Sequence, residues 1–370
     1  MKSYIIVGAG ILGASTAYHL AKSGARVTVI DRKEPGQATD AAAGIVCPWL
    51  SQRRNQDWYQ LAKGGARYYA DLINQLEEDG ETDTGYKRVG AISIHTDASK
   101  LDKMEERAYK RREDAPEIGD ITRLSASETK KLFPILADGY ESVHISGAAR
   151  VNGRALCRSL LSAAEKRGAT VIKGNASLLF ENGTVTGVQT DTKQIAADAV
   201  IVTAGAWANE ILKPLGIHFQ VISKAQIMHF EMTDADTGSW PVVMPPSDQY
   251  ILFDNGRIVA GATHENDAGL DDLRVTAGGQ HEVLSKALAV APGLADAAAV
   301  ETRVGFRPFT PGFLPVVGAV PNVQGLYAAN GLGASGLTMG PFLGAELAKL
   351  VLGKQTELDL SPYHPAGALA

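Results

Sequence analysis

The sequence predicts an α/β protein in which a dinucleotide-binding βαβ unit is interleaved with β-rich material. Three observations predict it. A glycine-rich turn, Gly8-Ala9-Gly10-Ile11-Leu12-Gly13, stands between an apolar β-branched run and an amphipathic helical pattern. Buried-strand patterns recur in mid-chain (199–203) and late in the chain (316–320, 325–329). Between them lie β-type stretches punctuated by Pro241, Pro245 and Pro246. At 370 residues the chain is long enough for two domains. The expected division is 1–82, 144–214 and 302–370 in the nucleotide-binding part, and 83–143 and 215–301 in the other.

Taken in order, residues 3–7 (SYIIV) make a parallel strand buried on both faces. The glycine turn follows. Residues 11–23 then place Leu12, Ser15, Ala17 and Leu20 at helical spacing, and Ser23-Gly24 closes the helix. Residues 26–30 alternate into a second strand ending at Asp31, which completes the βαβ unit. Helical spacing recurs over 58–79, followed by a polar turn at 80–85, a strand at 89–95 and a charged helix at 101–112. An amphipathic helix at 153–168 leads to a strand at 170–173 and a hairpin through Glu181-Asn182-Gly183-Thr184. The strand at 199–203 runs into Ala204-Gly205-Ala206-Trp207. Antiparallel strands are expected over 217–232 and 250–261, and helices over 275–290 and 336–352.

Hydrophobic residues at 45% and charged residues at 21% exclude a disordered chain. The balance of 36 Lys+Arg against 41 Asp+Glu leaves −5, so nothing draws the whole molecule to nucleic acid or anionic lipid. No basic, aromatic-studded stripe supports nucleic-acid work such as tRNA-base modification. Cys47 and Cys157 are too few for a disulfide framework or a four-thiolate zinc site. The opening MKSYIIVGAGILGA is interrupted by glycines and is not read as a signal peptide. No window offers ~18 uninterrupted apolar residues, so no membrane span is expected and the cytoplasm is the expected location.

Each part of the glycine fingerprint has a physical task. Gly8 permits the tight turn, Gly10 lets the backbone approach a diphosphate, and Gly13 lets helix and strand pack closely. The helix start at Ile11 and Leu12 offers free N–H groups and partial positive charge to that diphosphate. Asp31, 23 positions after Gly8, suits a ribose hydroxyl and disfavours a 2′-phosphate, although Arg32 beside it leaves that preference open. The small residues of Thr39-Asp40-Ala41-Ala42-Ala43-Gly44-Ile45 let backbone pass close to a planar ring, or else form an Ala-rich helix start. Near the C-terminus Gly331, Gly333, Gly336 and Gly340 precede an apolar helix, whose N–H groups at Gly336, Leu337 and Thr338 would stabilise negative charge on a reduced ring. A loop before a surface helix is the plainer alternative.

Several motifs in one order extend this reading: GAGILG with Asp31, ATDAAAGI, VNGRALCRSLLSAAEKRGATV, VIVTAGAWAN, YILFDNGRIVAGAT, GFRPFTPGFLPVVG and AANGLGASGLTMGP. With these the chain resembles the FAD-dependent amine oxidoreductases, a family that includes D-amino acid oxidase, D-amino acid dehydrogenase, glycine oxidase and sarcosine oxidase. The resemblance covers almost the whole chain. It implies a Rossmann-like FAD-binding domain of the GR2 flavoprotein type, interleaved with an antiparallel β-sheet substrate domain. It also implies FAD contacts at Ala204, Gly205 and Trp207, at Val151 near the adenine, and at Gly333, Ser335 and Arg307. Sarcosine oxidases attach FAD through a C-terminal cysteine; this chain has none after Cys157, so FAD is expected to be held non-covalently.

The resemblance implies hydride transfer from the substrate Cα–H to flavin N5, with O2 or a quinone-type compound as electron acceptor. Such chemistry needs positioning more than a protein base, and above all a cation for the substrate carboxylate. Arg307, in Gly305-Phe306-Arg307-Pro308, matches the family's carboxylate-binding arginine; a surface salt bridge is the alternative, and Arg303 is the fallback. Tyr250 matches the tyrosine at the roof of the pocket, though it also suits a core position. Asp248 falls on the same face of an extended strand, where it would hold an ammonium or serve in a turn. His264 falls in the pocket region by resemblance, with an ordinary structural role as the other reading. Ala334 and Ser335 occupy the stretch where some relatives carry a second arginine. Asp40, Cys47 and Arg53-Arg54 have no role derived from sequence. The expected activity is oxidation of the amine of a D-amino acid or an N-substituted glycine to the imine. The alternatives are a flavin-carrying subunit of a larger dehydrogenase and a nicotinamide-dependent dehydrogenase; a homo-oligomer is left open.

Overall fold

A computed structural model describes residues 1–218, 221–232 and 238–369. Its first sheet has six strands in the order Val316–Ala319, Leu326–Asn330, Ala199–Val202, Ser3–Val7, Arg26–Asp31, Thr170–Lys173. All neighbours run parallel except the first pair. The side-chain period of two explains why Ser3–Val7 is apolar throughout. Tyr4 and Ile6 enter the core with the Ile11–Lys22, Gly153–Lys166 and Gly336–Val351 helices. Ile5 and Val7 enter a second core, shared with Val185 and Val188 of a small three-stranded sheet over 176–196.

The second sheet has eight strands: Ala298–Phe309, Val221–Glu231, Arg257–Gly261, Tyr250–Asp254, Val242–Met244, Ala91–His95, Glu141–Ile145 and Ile121–Leu124. One face carries Met228, Phe230, Ile251, Ile258 and Ala260 against Val283, Ala287 and Val290 of the Ala277–Val290 helix. The other face, with Ala225, Ile227, Leu252 and Val259, joins the core of the first sheet. Both sheets are therefore assembled from separated segments. The Ala298–Phe309 and Glu141–Ile145 strands run across the boundaries expected at 302 and 144.

Most expected elements stand where the pattern placed them. The stretch 250–261 is a hairpin rather than one strand, turning at Asn255 and Gly256 with φ of 47° and 81°. The strand expected over 217–232 is Val221–Glu231; residues 219–220 of that expectation lie outside the described residues. The pattern missed Ala298–Phe309 as a strand because Pro308 and three charges interrupt it. It is an edge strand, where a residue without N–H is tolerated. Among the described residues no helix is long and apolar enough to cross a membrane.

Candidate active site

A cavity of about 370 Å3 opens at the carboxyl ends of the parallel strands, where Val7, Asp31, Gly174 and Thr203 reach its wall, and extends to the inner face of the large sheet. Two helix N-termini are aimed at it. The Ile11–Lys22 and Gly336–Val351 helices pack so closely that a Cβ on Gly344 would stand 2.6 Å from Ser15 Cβ, and one on Gly340 2.8 Å from Ile11 Cγ2. Ser15 Oγ donates to Pro341 O (2.6 Å) across this contact, and Tyr69 OH donates to Leu337 O (2.5 Å) from the other side. Neither helix has a side chain capping its first N–H groups from the N-cap position. The two positive dipole ends are thus held side by side over one space.

The glycine turn is built as its spacing requires. Gly8 has φ of 104°, and a Cβ there would stand 2.6 Å from Thr203 O. A Cβ on Gly13 would overlap Gly8 O, so Gly13 works by packing and does not line the cavity. Gly10, Ile11 and Leu12 do line it. Asp31 is buried and accepts from Ala9 N–H (2.6 Å), Lys33 N–H (2.6 Å) and Gln37 Nε2 (3.0 Å). Arg32 donates to Glu210 Oε2 (2.8 Å) and stands 3.3 Å from Glu34 Oε2. Thr39 Oγ1 accepts from Ile11 N–H (3.1 Å), so the 37–45 segment closes directly over the first helix start. Ala42, Ala43, Gly44, Ile45, Ala204, Gly205, Trp207, Gly333, Gly336 and Leu337 all line the cavity. An acidic group at one strand end, a glycine turn lining the cavity and two helix starts without an N-cap side chain fit the ribose, the diphosphate and the electron-rich ring edge of FAD; at the first start Thr39 already takes the Ile11 N–H.

The large sheet supplies the other wall. Arg307 lies on Ala298–Phe309 opposite Ser223, its side chain on the face shared with Ala225 and Ile227. Arg307 Nη1 donates to His264 Nδ1 (3.2 Å) and approaches Thr263 O at 3.5 Å. The Arg307 charge also acts on the Tyr250 hydroxyl. Burial raises the Tyr250 phenol, and Arg307 pulls it back in part, so Tyr250 stays a neutral hydroxyl. Burial and the Arg307 charge lower the His264 imidazole from its ordinary value. Asp248 precedes the strand in a bend and still lines the cavity; its carboxylate meets Lys286 Nζ at 3.1 Å and His264 Nε2 at 3.8 Å. Burial works against the charge on Asp248, but Lys286 outweighs it and the carboxyl is held below its usual range.

Four expected contacts lie off the cavity wall. Besides Gly13, they are Val151, Ser335 and Thr338. Val151 is buried in the core, and its N–H donates to Gly44 O (2.8 Å), so it shapes the 42–45 segment from behind. Thr338 Oγ1 donates to Ile45 O (2.9 Å) and ties the last helix to the same segment. The sequence reading missed Gly174-Asn175-Ala176, which line the cavity beyond Thr170–Lys173. Their position past the end of a parallel strand was the available signal. Gln37, Ala225, Ile227 and Phe306 were also missed.

Over residues 3–350 the sequence matches the model of the FAD dependent oxidoreductase (DAO) family. The chain belongs to that family; it is an oxidoreductase and its cofactor is FAD. It is 97% identical to an oxidoreductase of Bacillus subtilis (strain 168), YurR, over the full length of both. It is 31% identical to a glycine oxidase of Pseudomonas aeruginosa, covering 99% of each. Among solved structures it is similar to iminodiacetate oxidase from Chelativorans sp. BNC1, with 50% identity, 98% of each chain covered and a TM-score of 0.94.

Proposed function

We propose that the chain oxidises the amine of a small amino acid to the imine, taking D-amino acids or N-substituted glycines, with N-substituted glycines favoured. The observation that carries this reading is Arg307, a guanidinium held by His264 in a cavity that Tyr250 also lines and that opens to two helix N-termini. The likeness to iminodiacetate oxidase supports the choice among substrates. Arg307 would hold the substrate carboxylate through two parallel N–H···O bonds, which fixes the Cα–H direction. The Tyr250 hydroxyl would donate to that carboxylate or to a water beside it. Asp248 would meet the ammonium as it enters, before the nitrogen gives up its proton and its lone pair forms the C=N bond. When bound, FAD supplies the acceptor for the hydride. Water then hydrolyses the imine to the carbonyl compound and the free amine, and O2 or a quinone-type compound takes the electrons. The Gly8–Gly13 turn, Asp31, Thr39 and the 42–45 segment would hold the cofactor non-covalently, since Cys47 and Cys157 are both buried off the main cavity wall.

Replacing Arg307 by Met should raise KM about a hundredfold, corresponding to ~3 kcal/mol, while FAD stays bound. Steady-state kinetics with flavin absorbance checks this, and an unchanged KM would show the carboxylate site to be elsewhere. Anaerobic bleaching across D-amino acids, glycine, sarcosine, proline and iminodiacetate identifies the donor, and recolouring on admission of air identifies the acceptor.

A further inference from the structure

The segment that brings Thr263 and His264 to Arg307 is fastened from behind by two side chains that do not line the cavity. Residues 262–276 leave the Arg257–Gly261 strand and reach Thr276, which caps the Ala277–Val290 helix. Lys224 and Gln226 belong to the Val221–Glu231 strand and are fully buried. They alternate with Ser223 and Ala225, the register partners of Arg307 and Gly305, and so point away from the cavity. The Lys224 ammonium lies 3.3 Å from Glu265 Oε2 and 3.2 Å from Asp272 Oδ2. The Lys224 and Glu265 backbones exchange two hydrogen bonds at 2.9 Å. Gln226 Nε2 donates to Glu265 Oε1 (2.7 Å) and Thr276 Oγ1 (3.0 Å), and its carbonyl oxygen accepts from Thr276 N–H (3.1 Å). Thr263 Oγ1 donates to Glu265 Oε1 (2.8 Å) and accepts from Gln226 N–H (2.9 Å). Glu265 is therefore gripped at both oxygens, one residue after His264.

An apolar side chain would fill the Lys224 position without the desolvation cost of a buried ammonium. We propose that Lys224 is a positioning residue: through Glu265 it holds Thr263 and His264 against Arg307, and so sets the aim of the guanidinium on a carboxylate. The proposal rests on the reading of Arg307 as the carboxylate anchor. It predicts that loss of the ammonium weakens carboxylate binding while leaving the cofactor in place.

The test uses the FAD-loaded enzyme and acetate, titrated by calorimetry and by the change in flavin absorption. Lys224→Met should weaken acetate binding about tenfold with FAD content unchanged, and Lys224→Arg should restore it to within about twofold. In an Arg307→Met background, Lys224→Met should have no further effect, because the two act through one contact. Weakening by Arg307→Met with none by Lys224→Met overturns the proposal alone, as does equal weakening by Lys224→Met in both backgrounds. Acetate binding that Arg307→Met leaves intact overturns the anchor reading and this proposal with it. If Lys224→Met fails to fold, Glu265→Gln carries the test, since it keeps the size of the side chain and removes the charge facing Lys224. A loss of about threefold is expected, and unchanged binding overturns the proposal.

Discussion

His229 sits buried in the large sheet opposite Glu301, on the face shared with Arg303. Burial lowers its imidazole to about 4, with Arg303 adding to the effect and Glu301 opposing it. The unfolded chain titrates near ~6.5, so between these values it binds the proton that the folded chain refuses. Stability is therefore fully present above the unfolded value and falls as the pH drops toward 4, by on the order of 2–3 kcal/mol. Glu301, held at about 2 by Arg303, extends the loss to lower pH in the same direction. Urea unfolding at about pH 7 and about pH 5 should show the drop, and His229→Gln should flatten it. Residues of this kind are not legible in sequence, because a His or Lys in an alternating strand reads as solvated. Lys224 escaped notice for that reason. The place of Arg307 in the cavity was legible because a planar cation beside Pro308 in a known motif does not depend on knowing its neighbours.

At the scale of elements, Gly13 shapes the cavity without lining it. The helix start can lie against the turn only because Gly13 has no Cβ to meet Gly8 O. Gly13→Ala should displace the first helix, lower stability by about 2 kcal/mol and release FAD, as shown by a colourless protein with a reduced Tm. The βαβ unit was legible because strand, turn, helix and acid all fall within one short window. The 250–261 hairpin was only half legible: its Asn255-Gly256 turn carries the expected residues, but β-branched side chains on both sides read as one run.

Across the whole molecule, a small polar tie joins the eight-stranded sheet to the start of the Gly153–Lys166 helix, which shares a core with the six-stranded sheet. Asp254, at the end of the Tyr250–Asp254 strand, accepts from Asn152 Nδ2 (2.7 Å) and from Arg150 Nη1 (3.3 Å). Asn152 in turn caps the Gly153–Lys166 helix through Ala155 N–H (3.0 Å). Asp254→Ala would strand a buried Arg150 cation and should cost about 3 kcal/mol, read as a fall in Tm by calorimetry. Interleaving was legible as like patterns at both ends of the chain, whereas the pairing of distant strands into one eight-stranded sheet was not. That arrangement also bears on biosynthesis. The cavity wall runs from Val7 to Leu337, so a ribosome releases one side of it long before the other. The yellow chromophore is held in full only once both sides have emerged, and cells short of riboflavin should accumulate colourless protein.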